Sequence, residues 1–262
     1  MTADTTLLRV NGVTVQFGGL KAVDDVSFDV RQGELLGLIG PNGAGKTTLM
    51  RAITGVVTAN MGAIHLGEHK LNGLPTHQRI RRGLAFSQQL VRPFRDISVL
   101  DNVALAAGSA HTHSPLKALL HTSSSHERDI ARRMLERVGI AQHADQMPGI
   151  QPLGVLKRLE VARALAQEPK LLLLDEPLAG LNSKEAATLA DTIAEINRQG
   201  VTTILIEHNL GEVMRICHRL VVLDNGRHIA SGPPREVMQQ PQVRAAYLGA
   251  EANADTTEEQ GA

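Results

Sequence analysis

One cysteine, no tryptophan, one tyrosine and four phenylalanines stand among 262 residues. The lone thiol, Cys217, has no partner in the chain, so an internal disulfide is excluded. The N-terminus "MTADTTLLRV" lacks the charged-then-apolar pattern of a secretion signal, and a cytoplasmic location is expected. No apolar run reaches the roughly 18 residues that a membrane helix needs. The longest are short pieces such as "LLGLIG" and "KLLLLDE", so any work at a membrane requires a span from another chain. A surplus of charge is missing too. Lys plus Arg and Asp plus Glu both number 27, which leaves no net field to draw in nucleic acid or anionic lipid. No nucleic-acid partner is expected.

What is present is enough for a sizeable core, with 42% of residues hydrophobic. From Leu7 to Val30 apolar and polar residues alternate between Gly-rich breaks, which predicts antiparallel strands. "GELLGLIG" reads as a buried strand, "GAIHLGEHKL" as a further β stretch, "THQRIRRG" as a helix and Leu84 to Phe86 as a strand. The middle of the chain turns helical, with Ser98 and Ser124 or Ser125 as N-caps. Between those helices "HTHSPLKALLHTSSS" carries His111, His113 and His121. No Cys or carboxylate cluster accompanies them, so they read as a solvated loop and not a metal site. After residue 155 helix and strand alternate through "KLLLLDE", "VTTILIEH" and "RLVVLDNG", which predicts a parallel sheet and an α/β fold. Residues 1–250 are expected to form a single domain and the acidic residues 251–262 a disordered tail.

"GPNGAGKT", Gly40 to Thr47, follows a predicted strand and opens a predicted helix, and it fits G-x-x-x-x-G-K-[ST]. Glycines let successive N–H groups converge on phosphate oxygens, and the helix N-terminus adds its positive end. Gly40, Pro41, Asn42, Gly43, Ala44, Gly45, Lys46, Thr47 and the adjoining Thr48 are therefore the candidate nucleotide-binding residues. Lys46 neutralises phosphate charge, and Thr47 can ligate Mg²⁺. Phosphate loops serve many reactions, so the motif points to the nucleotide and not to the chemistry.

"LLLLDEP" places Asp175 at the carboxyl end of a strand, where open α/β sheets bind ligands and a carboxylate can hold Mg²⁺. Glu176, one residue on, is the candidate for orienting the attacking water. In "LIEHN" another strand ends, and His208 at its exit is a candidate contact to the γ-phosphate.

Taken together, the phosphate loop, "LLLLDEP", "LAGLN" and "LIEHN" resemble, in order and spacing, the ATPase subunits of ABC transporters, from about Leu7 to Gly249. Within that family "FGGLKAV", "VRPFRDISVLDNV", "LAGLNSKE", "LIEHNL" and "VRAAYLG" look most like the ATPases of branched-chain amino acid importers. The resemblance implies a RecA-like core with an antiparallel β subdomain and a helical subdomain inserted over about residues 98–167. It implies that Phe17 stacks on adenine and that Gln89, with Gln88 as the alternative register, senses Mg²⁺ and faces the membrane subunit. Asn182 and Ser183 would lie where two ATPase chains touch. The partners implied are a second ATPase chain, the same or different, and transmembrane permease subunits, with a substrate-binding protein acting indirectly. The place of work would be the cytoplasmic face of the cell membrane.

Lipopolysaccharide-type export ATPases carry similar motifs, and "VRAAYLG" favours the importer branch. A soluble ABC-type ATPase of DNA repair or translation usually has tandem cassettes, a long coiled coil or a basic face. This chain has one phosphate loop, no sustained heptads and zero net charge.

One stretch departs from the pattern. "RLEVARAL" matches the helix after the family's signature loop, but the loop reads Gln151, Pro152, Leu153, Gly154, Val155 where Leu-Ser-Gly-Gly-Gln is usual. In the family this loop reaches across a dimer to the γ-phosphate held by the other chain. Pro152 removes a hydroxyl and an N–H, which leaves the amides of Leu153, Gly154 and Val155 and the helix end to make a weakened contact.

Overall fold

In the computed structural model of the chain, residues 5–87, 93–111 and 125–248 are described, with only the backbone of 109–111. They fall into two compact units, residues 1–76 with 204–262 and residues 77–203. Gln88 and Gln89, His113 and His121, Ser124 and the tail 251–262 lie outside the described residues.

The first unit begins with the alternation read above. Strands β1 (Thr6–Phe17) and β2 (Leu20–Arg31) bury Leu8, Val10, Val13 and Val15 on one and Val23, Val26, Phe28 and Val30 on the other. They pair antiparallel in a sheet of order β2-β1-β4-β5, with β4 (Met61–Leu66) and β5 (His69–Lys70). A different logic governs β3 (Leu35–Ile39) and β9 (Arg219–Asp224). Here apolar residues run without alternation and both faces are buried, as parallel core strands require. β3 and β9 are parallel, β10 (Arg227–Gly232) turns back antiparallel on β9, and β8 (Thr202–Ile206) flanks β3 on its other side. Helix α1 (Lys46–Thr54) follows β3, and helix α7 (Leu210–Ile216) precedes β9. Past β10 come α8 (Pro234–Val237) and a helical stretch over 241–248.

Helix α2 (Thr76–Ile80) comes ahead of β6 (Leu84–Phe86), which in the second unit pairs parallel with β7 (Leu171–Asp175). Helices α3 (Val99–His111), α4 (Ser125–Arg137) and α5 (Leu153–Leu165) fall within the range 98–167, and α6 (Ser183–Arg198) follows β7. Ser98 caps α3 as expected, its hydroxyl accepting the Asp101 N–H at 3.0 Å. α6 starts in a reciprocal cap: the Asn182 side chain accepts the Glu185 N–H at 2.9 Å and the Glu185 carboxylate accepts the Asn182 N–H at 3.2 Å. The apolar run ahead of Asp175 is explained by burial, since Leu171 to Leu174 are all fully enclosed. Among the described residues no helix is long and apolar enough to cross a membrane.

Candidate functional site

Between β3 and α1 the chain makes a tight loop that only glycine permits at two places. Gly40 lies at φ 146° and Gly45 at φ 95°. A methyl group on Gly40 would collide with the Leu223 carbonyl oxygen of β9, and one on Gly45 with that of Ala22. Neighbouring backbone thus presses the loop into shape from both sides. Lys46 opens α1 and is buried, and its ammonium donates to the Gly40 carbonyl at 2.7 Å and the Pro41 carbonyl at 2.8 Å. An incoming phosphate, with a full negative charge, is the stronger acceptor for the same ammonium. The Gly40 N–H in turn donates to the hydroxyl of Tyr247, whose phenol burial pushes up to about 12. Tyr247 is therefore neutral at physiological pH, and it ties the 241–248 helix to the first residue of the loop.

In the second unit Asp175 ends β7, 7% exposed, and Glu176 follows with a left-handed backbone at φ 52°. A glutamate in that region costs on the order of 1–3 kcal/mol unless its surroundings compel it, and such residues concentrate at working sites. Its carbonyl accepts two hydrogen bonds, from the Lys157 ammonium at 3.0 Å and the Ala179 N–H at 3.3 Å. Lys157 escaped the sequence reading, although a signal existed. It falls on the helical stripe of Val161, Ala164 and Leu165, all buried, so its own burial was foreseeable.

Thr47 in the first unit offers a hydroxyl and Asp175 in the second a carboxylate, each a hard oxygen ligand of the kind Mg²⁺ takes. Among the described residues no three His, Cys, Asp or Glu side chains gather as a metal cage.

At the loop 151–155, Pro152 is the N-cap of α5 and supplies no side-chain cap. Its carbonyl accepts the Val155 N–H at 3.0 Å and the Leu156 N–H at 3.1 Å. This corrects the count made above: Val155 has its amide engaged within the helix, which leaves those of Leu153 and Gly154. Leu153 is half-exposed, and a methyl on Gly180 would stand 2.9 Å from its Cδ2. Beside Gly154 lies the Glu185 carboxylate, whose Oε1 would be 3.5 Å from a methyl placed there.

The remaining candidates are placed as follows. Phe17 ends β1 and is 53% exposed, available for stacking and not core. His208 lies exposed after β8, its N–H donating to the Glu207 carboxylate at 3.2 Å. Asn182 is engaged as the cap of α6. Gln89 and Gln88 lie outside the described residues.

The second unit also carries a cleft of about 300 Å³ lined by Phe86, Phe94, Leu105, Glu160, Arg163 and Gln167, among others. The Arg163 guanidinium stands 5.5 Å from the Phe94 ring centre and pairs with Glu160 at 2.7 Å. Burial raises the Glu160 carboxyl above its usual range, although Arg163 opposes the shift. Asn102, 1% exposed, shapes the rim. Its amide accepts the Phe94 N–H at 2.8 Å and donates to the carbonyls of Phe94 at 3.0 Å and Ser98 at 2.9 Å. Asn102→Ala strands those groups and is expected to lower unfolding free energy by about 2–3 kcal/mol. Urea denaturation checks this, and an unchanged midpoint would show that water replaces the amide without loss.

Residues 23–179 match the family model described as ABC transporter, and residues 227–253 the one described as branched-chain amino acid ATP-binding cassette transporter. The chain is 41% identical to the high-affinity branched-chain amino acid transport ATP-binding protein LivG of Salmonella typhimurium, over 93% of this chain and 98% of that protein. The lipopolysaccharide export system ATP-binding protein LptB of Escherichia coli K12 is more distant, at 34% over 92% and 97%. Of solved structures, the ADP conformation of MJ1267, an ATP-binding cassette of an ABC transporter, matches with a TM-score of 0.84. It is 30% identical, over 94% of this chain and 99% of that one.

Proposed function

The chain belongs to the family of ABC transporter ATPases, with its P-loop NTPase fold, and we propose that it is the ATP-hydrolysing subunit of an importer for branched-chain amino acids or related small polar substrates. The observation that carries this reading is the phosphate loop, with Lys46 held against two carbonyls that a phosphate can replace. The match of residues 227–253 and the greater distance of LptB favour import over lipopolysaccharide export.

In this reading Lys46 leaves the carbonyls of Gly40 and Pro41 for the β- and γ-phosphate oxygens, and the loop amides and the α1 N-terminus complete the cradle. Phe17 stacks on the adenine. Thr47 and Asp175 are the residues that would hold Mg²⁺, which would supply positive charge to neutralise the phosphates. Glu176 accepts the proton of the attacking water, His208 contacts the γ-phosphate, and Gln89, or Gln88 in the alternative register, senses Mg²⁺ and faces the membrane subunit. Leu153, Gly154 and Asn182 face a second ATPase chain. ATP closes the two chains and hydrolysis reopens them. The cleft beside Phe94 receives the transmembrane permease, which places this chain at the cytoplasmic face of the membrane. A substrate-binding protein acts through that permease.

Reconstitution tests the assignment. Purified with its membrane partners in proteoliposomes, the chain should hydrolyse ATP several-fold faster when binding protein loaded with leucine, isoleucine or valine is supplied opposite to it. Stimulation by lipopolysaccharide instead, or copurification with no permease, would overturn the importer reading.

A further inference from the structure

Glu176 has a backbone conformation that residues with a side chain rarely adopt. Among the described residues four non-glycines have positive φ: Asp25 and Asn225, of the short polar kind that tolerates it, and Glu168 and Glu176, which are not of that kind. At Glu176, with φ 52°, the carbonyl accepts the Ala179 N–H and the ammonium of Lys157.

Lys157 is an unexpected residue for that position. It is 6% exposed, on a helix stripe otherwise made of Val161, Ala164 and Leu165, where an apolar side chain would pack without the cost of burying a cation. Glu160 on the same helix lies close enough to interact with its charge. The ammonium reaches out of α5 to the Glu176 carbonyl, and that carbonyl belongs to the residue that meets the attacking water. The start of the same helix also lies near the segment after β7, since a methyl on Gly180 would stand 2.9 Å from Leu153 Cδ2 and one on Gly154 3.5 Å from the Glu185 carboxylate.

We propose that Lys157 is a positioning residue for hydrolysis, which by holding the Glu176 carbonyl fixes the backbone from which the Glu176 carboxylate engages water. It rests on the reading of Glu176 as the water-orienting group. Because Lys157 sits two residues beyond the loop 151–155 on the same helix, displacement of that loop is passed to Glu176 through the same contact.

The test uses the assembled transporter and Mg-ATP. Lys157→Met keeps the length of the stem and removes the donor. It should lower kcat about tenfold with KM and ATP affinity within twofold of the parent, since misplacement of a reacting group acts on the chemical step. Lys157→Arg, which can still donate, should recover most of the loss. Added to Glu176→Gln, Lys157→Met should change the residual turnover by less than twofold, because the group it positions is already gone. A kcat within twofold of the parent in Lys157→Met overturns the proposal. So does a parallel loss of kcat, affinity and melting temperature that Lys157→Arg leaves unrepaired, which is the signature of a structural role. Should Lys157→Met fail to fold, Lys157→Gln, polar but too short for the same contact, is read by the same criteria. If Glu176→Gln alone retains parental turnover, the reading of Glu176 fails first, and that failure is visible separately.

Discussion

Glu176→Gln will bind ATP, stop turning it over and accumulate as a closed dimer, whereas Lys46→Ala will lose the nucleotide itself. The two residues divide binding from chemistry because of where the backbone puts them. Lys46 stands at the first residue of α1 with its ammonium on the Gly40 and Pro41 carbonyls of the loop, and in the proposed reading it meets phosphate already in the bound state. A hydrogen bond to a charged group contributes about 1.5–3 kcal/mol, so Lys46→Ala should weaken ATP at least tenfold. Glu176 acts on the water, which matters only as the bond to the γ-phosphate forms. Removing a positioned general base typically costs 10²–10⁴ in rate, and a neutral amide keeps the shape while losing the basicity. Calorimetry of ATP binding and steady-state phosphate release separate the effects. Near-parental hydrolysis by Glu176→Gln would sink the water-orienting role, and unchanged ATP affinity in Lys46→Ala would sink the phosphate-loop assignment.

What could be read from the sequence depended on how local the cause was. β1 and β2 alternate because one face of each is enclosed, and β3 and β7 do not because both are, so the periodicity alone revealed antiparallel edges and a parallel core. The phosphate loop was legible for a similar reason, since backbone crowding at Gly40 and Gly45 demands glycine and so leaves a mark in the letters. Contacts between distant residues leave no such mark. That Lys157 is buried could be inferred from its helix stripe, but its partner, the carbonyl of Glu176 nineteen positions on, could not. Nor could the hydroxyl of Tyr247 on the Gly40 amide, which joins the two chain segments of the first unit. The engagement of the Val155 N–H by Pro152 was missed although local, because the proline was weighed for the groups it lacks and not for the carbonyl it retains.

That carbonyl sharpens the expectation for Pro152→Ser, which should lower the ATP concentration needed to dimerise the Glu176→Gln form by roughly ten- to a hundredfold. The usual Ser would give a hydroxyl to the γ-phosphate held by the opposite chain. Here Pro152 gives none, the Val155 amide is spent inside α5, and only the Leu153 and Gly154 amides and the helix end are left. The Glu185 carboxylate beside Gly154 adds negative charge near the same end, which opposes an approaching phosphate. All these effects act in one direction, so the site completed by this loop is expected to be the weaker of a pair. A partner ATPase with a hydroxyl in its loop could still close firmly on the ATP bound at Lys46, while this chain closes loosely on the partner's nucleotide. Analytical ultracentrifugation across an ATP titration measures the shift for Pro152→Ser against the Glu176→Gln parent. A dimer no tighter than the parent's would show that two amides and the helix end already suffice, with the proline a neutral variant and the two sites equivalent.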